Sequence, residues 1–178
     1  MRREFLPATV ASRQHLVLLH GWGAGADVWR PMLAGLRPWA DVTLLEIPGC
    51  VPGGAPAGDL EDVLADLLRQ CPPGSVLVGW SLGGQLALEL AARQPRRVAA
   101  VVTLCSNPRF VAGGDWPGMA GEELRQFSSA LARSPATALR RFDSLQTAGS
   151  SQPRWLRRQL LALRQGAPGP ELQAGLEW

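Results

Sequence analysis

The sequence of 178 residues contains no lysine and no tyrosine, and its three cysteines are an odd number that stand far apart. Cys50, Cys71 and Cys105 form no C-x-x-C pair, which argues against a disulfide framework or a zinc site and favours a reducing compartment. No apolar run approaches the roughly 20 residues needed to span a bilayer. The basic N-terminus is not followed by the apolar core of a secretory signal. We therefore expect a cytoplasmic protein with no membrane partner.

All 18 basic residues are arginine, and the formal net charge is only +3. A net charge this small does not indicate a nucleic-acid partner. The arginines are unevenly distributed, because eight of them and a single acid, Asp143, lie between Arg125 and Arg164. That segment therefore carries a net charge of +7, and the rest of the chain is net acidic.

The chain is long enough to bury a hydrophobic core, and its composition, 46% apolar and 19% charged, is typical of a globular protein. Short apolar runs bounded by turn residues predict the strands of a sheet, the first three of them buried. The four runs are His15–Leu19, Asp41–Ile47, Ser75–Gly79 and Val98–Leu104.

Helical patterns lie between these strands. Asp27 is predicted to cap a helix that continues to Leu36, and Asp59 with Asp62 resembles the capping box of a second helix. A third helix is predicted over Gly83–Gln94. Strand–helix alternation of this kind predicts the α/β class, with a doubly wound, mostly parallel sheet and helices on both faces.

After Ser106 the pattern changes. Asn107–Pro117 is a loop rich in glycine and proline, and no further strand-like run follows it. Three helices are predicted instead, at about Gly121–Arg133, Pro135–Thr147 and Pro153–Gln165. We expect two parts, an α/β core over residues 1–106 and a helical cap over residues 107–178.

The strongest motif is Gly79-Trp80-Ser81-Leu82-Gly83, a G-x-S-x-G directly after a predicted strand and directly before a predicted helix. A turn this tight strains the serine backbone and requires glycine at the flanking positions. It lifts the Ser81 hydroxyl clear of the sheet and points the Leu82 N–H at any oxyanion that forms. The alternative is a chance match, since glycine and serine are common in turns.

A second motif, His20-Gly21-Trp22-Gly23, follows the first predicted strand. Some enzymes carry their nucleophilic serine in a G-x-S-x-G turn of this kind, which is called a nucleophile elbow. In them the loop after the first buried strand supplies the second N–H for the oxyanion, and by position this donor is the amide of Trp22. We expect His20 to orient the loop through hydrogen bonds. The alternative is that His20 is the general base. It is disfavoured because residues beside an oxyanion loop rarely act as the general base.

The HGWG and VGWSLGGQLALELA segments resemble those of α/β-hydrolases. More narrowly, the chain is similar to the pimeloyl-acyl-carrier-protein methyl ester carboxylesterases of biotin synthesis. This narrower resemblance adds the segment Asp115-Trp116-Pro117-Gly118 and the pattern RF..LQT.G that starts at Arg141. The likeness extends over nearly the whole chain from about Leu16.

The resemblance implies a serine carboxylesterase that cleaves the methyl ester of a pimeloyl chain on acyl-carrier protein, with no metal or cofactor and acting as a monomer. Ser81 would be the nucleophile, and the Trp22 and Leu82 amides the oxyanion hole. Trp22 and Phe142 would line the acyl channel. The helical part would be a cap whose arginines hold the acidic carrier protein or its phosphopantetheine phosphate. The cap positions that match are Arg141, Arg154 and Arg158.

The residues support part of this reading independently. Arg154 and Arg158 are four positions apart on one predicted helix, so they share a face. Arginine binds phosphate or carboxylate in a fork, and a positive segment above an esterase site steers an anionic partner. The alternative is that these arginines are a solvated helix face.

The catalytic machinery is incomplete in this sequence. A serine nucleophile needs a base and an acid, and in α/β-hydrolases the chain order is Ser, then Asp or Glu, then His. The only histidines, His15 and His20, precede Ser81, whereas Asp143, Glu171 and Glu177 lie in or after the cap helices.

The family continues beyond the cap with strands that carry the acid and the histidine. We therefore expect a C-terminally truncated hydrolase whose final strands are missing and whose last strand leaves an uncovered edge. The alternatives are an esterase, thioesterase or lactonase with another substrate, and a catalytically incomplete fragment that only binds ligand.

Overall fold

The computed structural model describes residues 1–164 and 166–178. Five strands form one sheet in the order β1-β3-β2-β4-β5. Their bounds are Arg3–Leu6 for β1, His15–Leu19 for β2, Asp41–Leu45 for β3, Ser75–Trp80 for β4 and Val98–Leu104 for β5. Strands β2 to β5 pair in parallel, and β1 lies antiparallel to β3 at one edge. The predicted α/β class and mostly parallel sheet are therefore confirmed.

Strand β1 was not predicted from the sequence. Its four residues, REFL, alternate between exposed and half-buried and include two charged side chains. The alternation shows that only one of its faces is covered, so β1 lacks the continuous apolar run that marked the buried strands.

Helices lie on both faces of the sheet, as predicted. Helix α2 (Leu60–Gln70) and helix α3 (Leu82–Arg93) pack on one face. A 3-10 helix over Ala26–Met32 and the short helix α1 (Leu33–Leu36) pack on the other. The doubly wound arrangement places the carboxyl ends of β2 and β4 together, because these two parallel strands are neighbours.

The two predicted helix caps have different outcomes. The Asp59 carboxylate accepts a hydrogen bond from the Asp62 N–H at 2.9 Å, so this cap is confirmed. The Asp27 cap is wrong, because the N-cap of the 3-10 helix is Gly25 and the Asp27 carboxylate pairs with Arg30 at 2.6 Å. Pro31 lies inside this 3-10 helix and has no N–H to donate to a preceding carbonyl.

Three helices follow the sheet at the predicted places. They are α4 (Gly121–Arg133), α5 (Pro135–Gln146) and α6 (Pro153–Ala162). Helix α6 ends before the predicted limit, and Gln165 lies outside the described residues. A further 3-10 helix over Pro170–Leu176 was not predicted.

The helical part shares the main hydrophobic core with the sheet. Leu131 of α4, Leu139 of α5 and Leu172 of the last 3-10 helix are fully buried in the cluster that also contains residues of β2 and β4. Helix α6, by contrast, has no buried residue. The helical part is therefore held to the sheet mainly by α4, α5 and the segment after α6.

Strand β5 is exposed on its outer edge and on one face. In its register with β4, Val78 pairs with Val102 and Trp80 with Leu104. Val102 is 44% exposed and Leu104 is 37% exposed, whereas Val101 packs against the main core. No strand among the described residues pairs with the outer side of β5. The expected uncovered edge is confirmed for this part of the chain.

Candidate active site

Ser81 occupies the turn between β4 and α3 in a strained backbone conformation. Its φ is 54° and its ψ is −122°, a region that residues other than glycine rarely adopt. The Ser81 N–H donates to the Leu104 carbonyl at 2.9 Å, and the Ser81 carbonyl accepts from the Gly84 N–H at 2.8 Å. The predicted elbow geometry is confirmed.

The glycines around Ser81 are required by close backbone approach. A Cβ on Gly79 would overlap the carbonyl oxygen of Gly83, and a Cβ on Gly83 would overlap the carbonyl oxygen of Leu19. A Cβ on Gly84 would lie 2.5 Å from the Ser106 hydroxyl. The motif therefore brings β4, α3 and the end of β2 closer together than any larger residue allows.

The Ser81 side chain is half-buried and remains accessible. Its hydroxyl forms no hydrogen bond with any residue in the described part of the chain. Leu82 is the first residue of α3, so its N–H has no partner within the helix and lies at the positive end of the helix dipole. The free hydroxyl and the free amide are adjacent in the chain.

The Gly21–Gly23 loop lies against Ser81. A Cβ on Gly21 would lie 3.2 Å from the Ser81 Cβ. On its other side, the Gly23 N–H donates to the Cys50 carbonyl at 2.8 Å. The structure therefore brings together the two motifs that the sequence singled out for the nucleophile and the oxyanion hole.

His20 orients this loop, as predicted. Its ring is fully buried, Nδ1 donates to the Gly21 carbonyl at 2.8 Å, and Nε2 accepts from the Ile47 N–H at 2.9 Å. Burial lowers the pKa of His20 to about 4. Because both ring nitrogens are occupied, His20 does not take a proton from Ser81. His15 lies at the opposite end of β2 and bonds to the Thr43 hydroxyl at 2.8 Å.

Two of the acids after Ser81 are engaged elsewhere, in agreement with their unfavourable sequence context. Asp143 forms an ion pair with Arg164. Glu171 accepts hydrogen bonds from the Gly53 N–H at 2.8 Å and the Gly169 N–H at 2.9 Å. Within residues 1–164 and 166–178, no acid–histidine pair is directed at Ser81.

Trp22 and Phe142, the two side chains that the sequence analysis places along an acyl channel, are in contact. Their ring centroids are 5.1 Å apart with the planes at 85°, and Phe127 of α4 lies 5.5 Å from Trp22. The Trp22 Nε1–H donates to the Leu172 carbonyl at 2.8 Å. A cavity beside Trp22 has a volume of only about 10 Å³, about the room for one water. Phe127 was missed because only the packing of α4 brings it here.

Four arginines line an open groove of about 640 Å³ between α5 and α6. They include the predicted pair Arg154 and Arg158, together with Arg140 and Arg157. Arg141 is exposed on α5 and does not line this groove. The sequence could have indicated Arg157, because it is three positions from Arg154 and so lies on the same side of the helix. The place of Arg140 in the groove depends on how α5 and α6 pack and could not be predicted from spacing.

No cluster of three metal-ligating side chains occurs in the part of the chain that the structure describes. None of its helices combines the length and the apolar character needed to cross a bilayer.

Residues 14–165 match the alpha/beta hydrolase fold family. The bifunctional biotin biosynthesis protein BioHC of Cellvibrio japonicus is 45% identical over 153 residues, which are 84% of this chain and 30% of that protein. The pimeloyl-[acyl-carrier protein] methyl ester esterase of Klebsiella pneumoniae subsp. pneumoniae is 40% identical over 167 residues, 92% of this chain and 65% of the esterase. The chain thus spans slightly less than two thirds of this curated relative.

Solved structures show the same fold. The esterase EaEST of Exiguobacterium antarcticum superposes with a TM-score of 0.75 at 18% identity, over 98% of this chain and 67% of that one. MenH of S. aureus superposes with a TM-score of 0.72 at 16% identity, over 98% of this chain and 68% of MenH. Taken with the family match over most of its length, this establishes that the chain belongs to the alpha/beta hydrolase fold family, and within it resembles the pimeloyl-[acyl-carrier protein] methyl ester esterases.

Proposed function

We propose that the chain is the nucleophile-bearing part of a serine carboxylesterase that hydrolyses the methyl ester of pimeloyl-acyl-carrier protein in biotin biosynthesis. The observation that carries the proposal is the strained Ser81 turn against the Gly21–Gly23 loop. The similarity to esterases with this named activity supports the choice of substrate.

In the proposed reaction, the Ser81 Oγ attacks the ester carbonyl carbon and the carbonyl oxygen becomes an oxyanion. The backbone N–H groups of Trp22 and Leu82 donate to this oxyanion, and each such donor contributes about 3 kcal/mol to lowering the barrier. Methanol leaves, and water then hydrolyses the acyl-serine. The base that accepts the Ser81 proton, and the acid that orients it, come from a part of the whole protein that follows the cap.

The arginine groove supports a substrate bound to an acidic carrier. Arg140, Arg154, Arg157 and Arg158 line it, and within the described chain only Asp143 contributes negative charge to its wall. Guanidinium groups bind phosphate and carboxylate in a fork. We propose that this groove, with the exposed Arg141 beside it, holds the carrier protein or its phosphopantetheine phosphate.

The division into a core over residues 1–106 and a cap over residues 107–178 is part of the same proposal, as are a monomeric state and a cytoplasmic location. In this arrangement Trp22 and Phe142 line the acyl channel. Because the rings are in contact and the cavity beside them is small, entry of an acyl chain requires the rings to separate.

A second candidate is a form of the chain that binds ligand without turnover. It is favoured by one observation, namely that both histidines are held away from Ser81 by their own hydrogen bonds. Another ester, thioester or lactone is the alternative substrate within the first candidate.

The test compares the chain alone with a fusion of the chain to the part of the Klebsiella esterase that follows its cap. Methanol release is measured from methyl pimeloyl-acyl-carrier protein and from free methyl pimelate. We expect near-background release by the chain alone, and Ser81-dependent release by the fusion with a preference for the carrier-bound ester. An equal rate with both esters would refute the carrier-bound substrate.

The arginine groove is tested in the same fusion with Arg154→Glu and Arg158→Glu combined. The charge reversal is expected to raise KM for the carrier-bound ester and to leave free methyl pimelate unaffected. Arg69→Glu, on the exposed side of α2, is the matched control. Circular dichroism and hydrolysis of a small aryl ester show that each variant is folded and active. An equal loss of turnover with the carrier-bound ester and with free methyl pimelate would refute the role of the groove.

A further inference from the structure

Arg164, which follows α6, uses all three nitrogens of its guanidinium group. Nη1 donates to Asp143 Oδ2 at 2.7 Å, and Nη2 donates to the other oxygen, Asp143 Oδ1. Nε donates to the carbonyl oxygen of Gly23 at 3.0 Å. One cap side chain therefore joins α5 to the loop that carries Trp22.

This ion pair is largely withdrawn from water. The side chain of Asp143 is 3% exposed and that of Arg164 is 11% exposed. A buried pair of this kind is weak evidence for stability, because desolvation offsets much of the attraction. The pair instead sets the orientation of the Arg164 side chain, because a carboxylate that accepts two hydrogen bonds fixes the plane of the guanidinium group. With that plane fixed, the Nε–H of Arg164 is aimed at the carbonyl oxygen of Gly23.

Gly23 is held from several sides. Its N–H donates to the Cys50 carbonyl at 2.8 Å, on the core side. Its φ is +74°, and a Cβ at this position would lie 2.8 Å from the Leu139 Cδ1 of α5. Arg164 holds its carbonyl from the cap side. The residue after Trp22 is therefore fixed by contacts from both the core and the cap.

We propose that Arg164, oriented by Asp143, is a positioning residue that sets the conformation of the Gly21–Gly23 loop and couples it to docking of the cap. Undocking of the cap removes the Arg164 hydrogen bond and loosens the loop next to Ser81. The consequence for catalysis rests on the proposed function, because it requires that the Trp22 amide is an oxyanion donor. The coupling between cap and loop does not depend on that function.

The coupling is tested by hydrogen–deuterium exchange in the chain as it stands. Arg164→Lys keeps the charge but replaces a planar fork with a single ammonium group, and Asp143→Asn removes the charge that orients it. In both variants we expect the Gly23 amide to exchange at least about tenfold faster, the effect of losing one charge-assisted hydrogen bond. Amides of β4 and α3 serve as internal references.

The matched control is Arg125→Lys, because Arg125 forms an exposed pair with Glu122. It is expected to leave the exchange rate of Gly23 unchanged. Unchanged Gly23 exchange in both Arg164→Lys and Asp143→Asn would overturn the proposal, and so would an equal acceleration of every core amide, which indicates only global destabilisation.

A second readout separates this proposal from the esterase proposal. In the fusion described above, Arg164→Lys is expected to lower kcat about tenfold or more while KM stays within about twofold. Faster Gly23 exchange with unchanged kcat would keep the coupling and refute Trp22 as an oxyanion donor. Unchanged exchange would refute the coupling even if the fusion is an active esterase.

Discussion

The Ser106 hydroxyl donates a hydrogen bond to the main-chain carbonyl oxygen of Ser81 at 2.7 Å. The Ser81 N–H in turn donates to the carbonyl of Leu104 at 2.9 Å. Both polar groups of the strained Ser81 backbone are therefore tied to the end of β5 or to the turn after it. A strained conformation persists only where its surroundings hold it in place, and Ser106 is one of the groups that do so.

Ser106→Ala removes this hydrogen bond and is expected to lower the free energy of unfolding by about 1 kcal/mol. In the fusion described above, it is also expected to lower kcat several-fold, because the Ser81 backbone loses a partner. Urea unfolding and ester turnover measure the two effects. Ser151→Ala, at an exposed loop position, is the control, and equal behaviour of the two variants would contradict the role of Ser106.

Gly83→Ala places a Cβ into the carbonyl oxygen of Leu19. Backbone atoms cannot move aside as a flexible side chain does, so we expect a loss of at least about 3 kcal/mol in the free energy of unfolding. Gly35→Ala in α1 is the control, because nothing lies within 4 Å of its added Cβ. That change is expected to be neutral or stabilising by about 0.5–1 kcal/mol. Chemical denaturation of both variants checks the difference, and similar losses in both would show that the close approach at Gly83 is unimportant.

The buried His20 predicts a pH dependence of stability. Burial lowers its pKa from 6.5 to about 4 in the folded chain, so the unfolded chain binds the proton more readily. The stabilising contribution is therefore complete above pH 6.5 and is lost as the pH falls from 6.5 to about 4. The whole contribution is about 3 kcal/mol.

This dependence is measured as the difference in unfolding free energy between the parent chain and His20→Asn at several pH values. The difference is expected to shrink between pH 6.5 and pH 4 and to stay constant between pH 7 and pH 8. A difference that is independent of pH over the lower range would show that His20 titrates normally in the folded chain.

When the 178 residues are expressed alone, without the part that we propose follows the cap, the exposed edge of β5 predicts self-association. Val102 is 44% exposed on a strand whose outer side has no partner in the described residues, and such edges promote pairing with other chains. Val102→Lys is expected to reduce concentration-dependent light scattering and to change stability by less than about 0.5 kcal/mol. Val10→Lys, at a position 65% exposed outside any strand, is the control. Undiminished scattering by Val102→Lys would exclude the β5 edge as the contact.

The sequence was informative where local chemistry determines structure. The buried strands appear as continuous apolar runs, the Asp59 cap depends on a residue three positions away, and the Ser81 turn needs glycines whose spacing is visible in the motif. It was uninformative where structure depends on distant packing. The Asp143–Arg164 pair joins residues 21 positions apart, and Phe127 contacts Trp22 from a helix about 100 positions further along the chain.

The most direct test of Ser81 as the nucleophile is peptide mass spectrometry of the fusion after reaction with an alkyl fluorophosphonate. Displacement of fluoride by an activated serine leaves a stable phosphonyl adduct. We expect one adduct, on the peptide that contains Ser81, and none in the Ser81→Ala variant. An adduct on another residue, or ester turnover that persists in Ser81→Ala, would contradict the assignment.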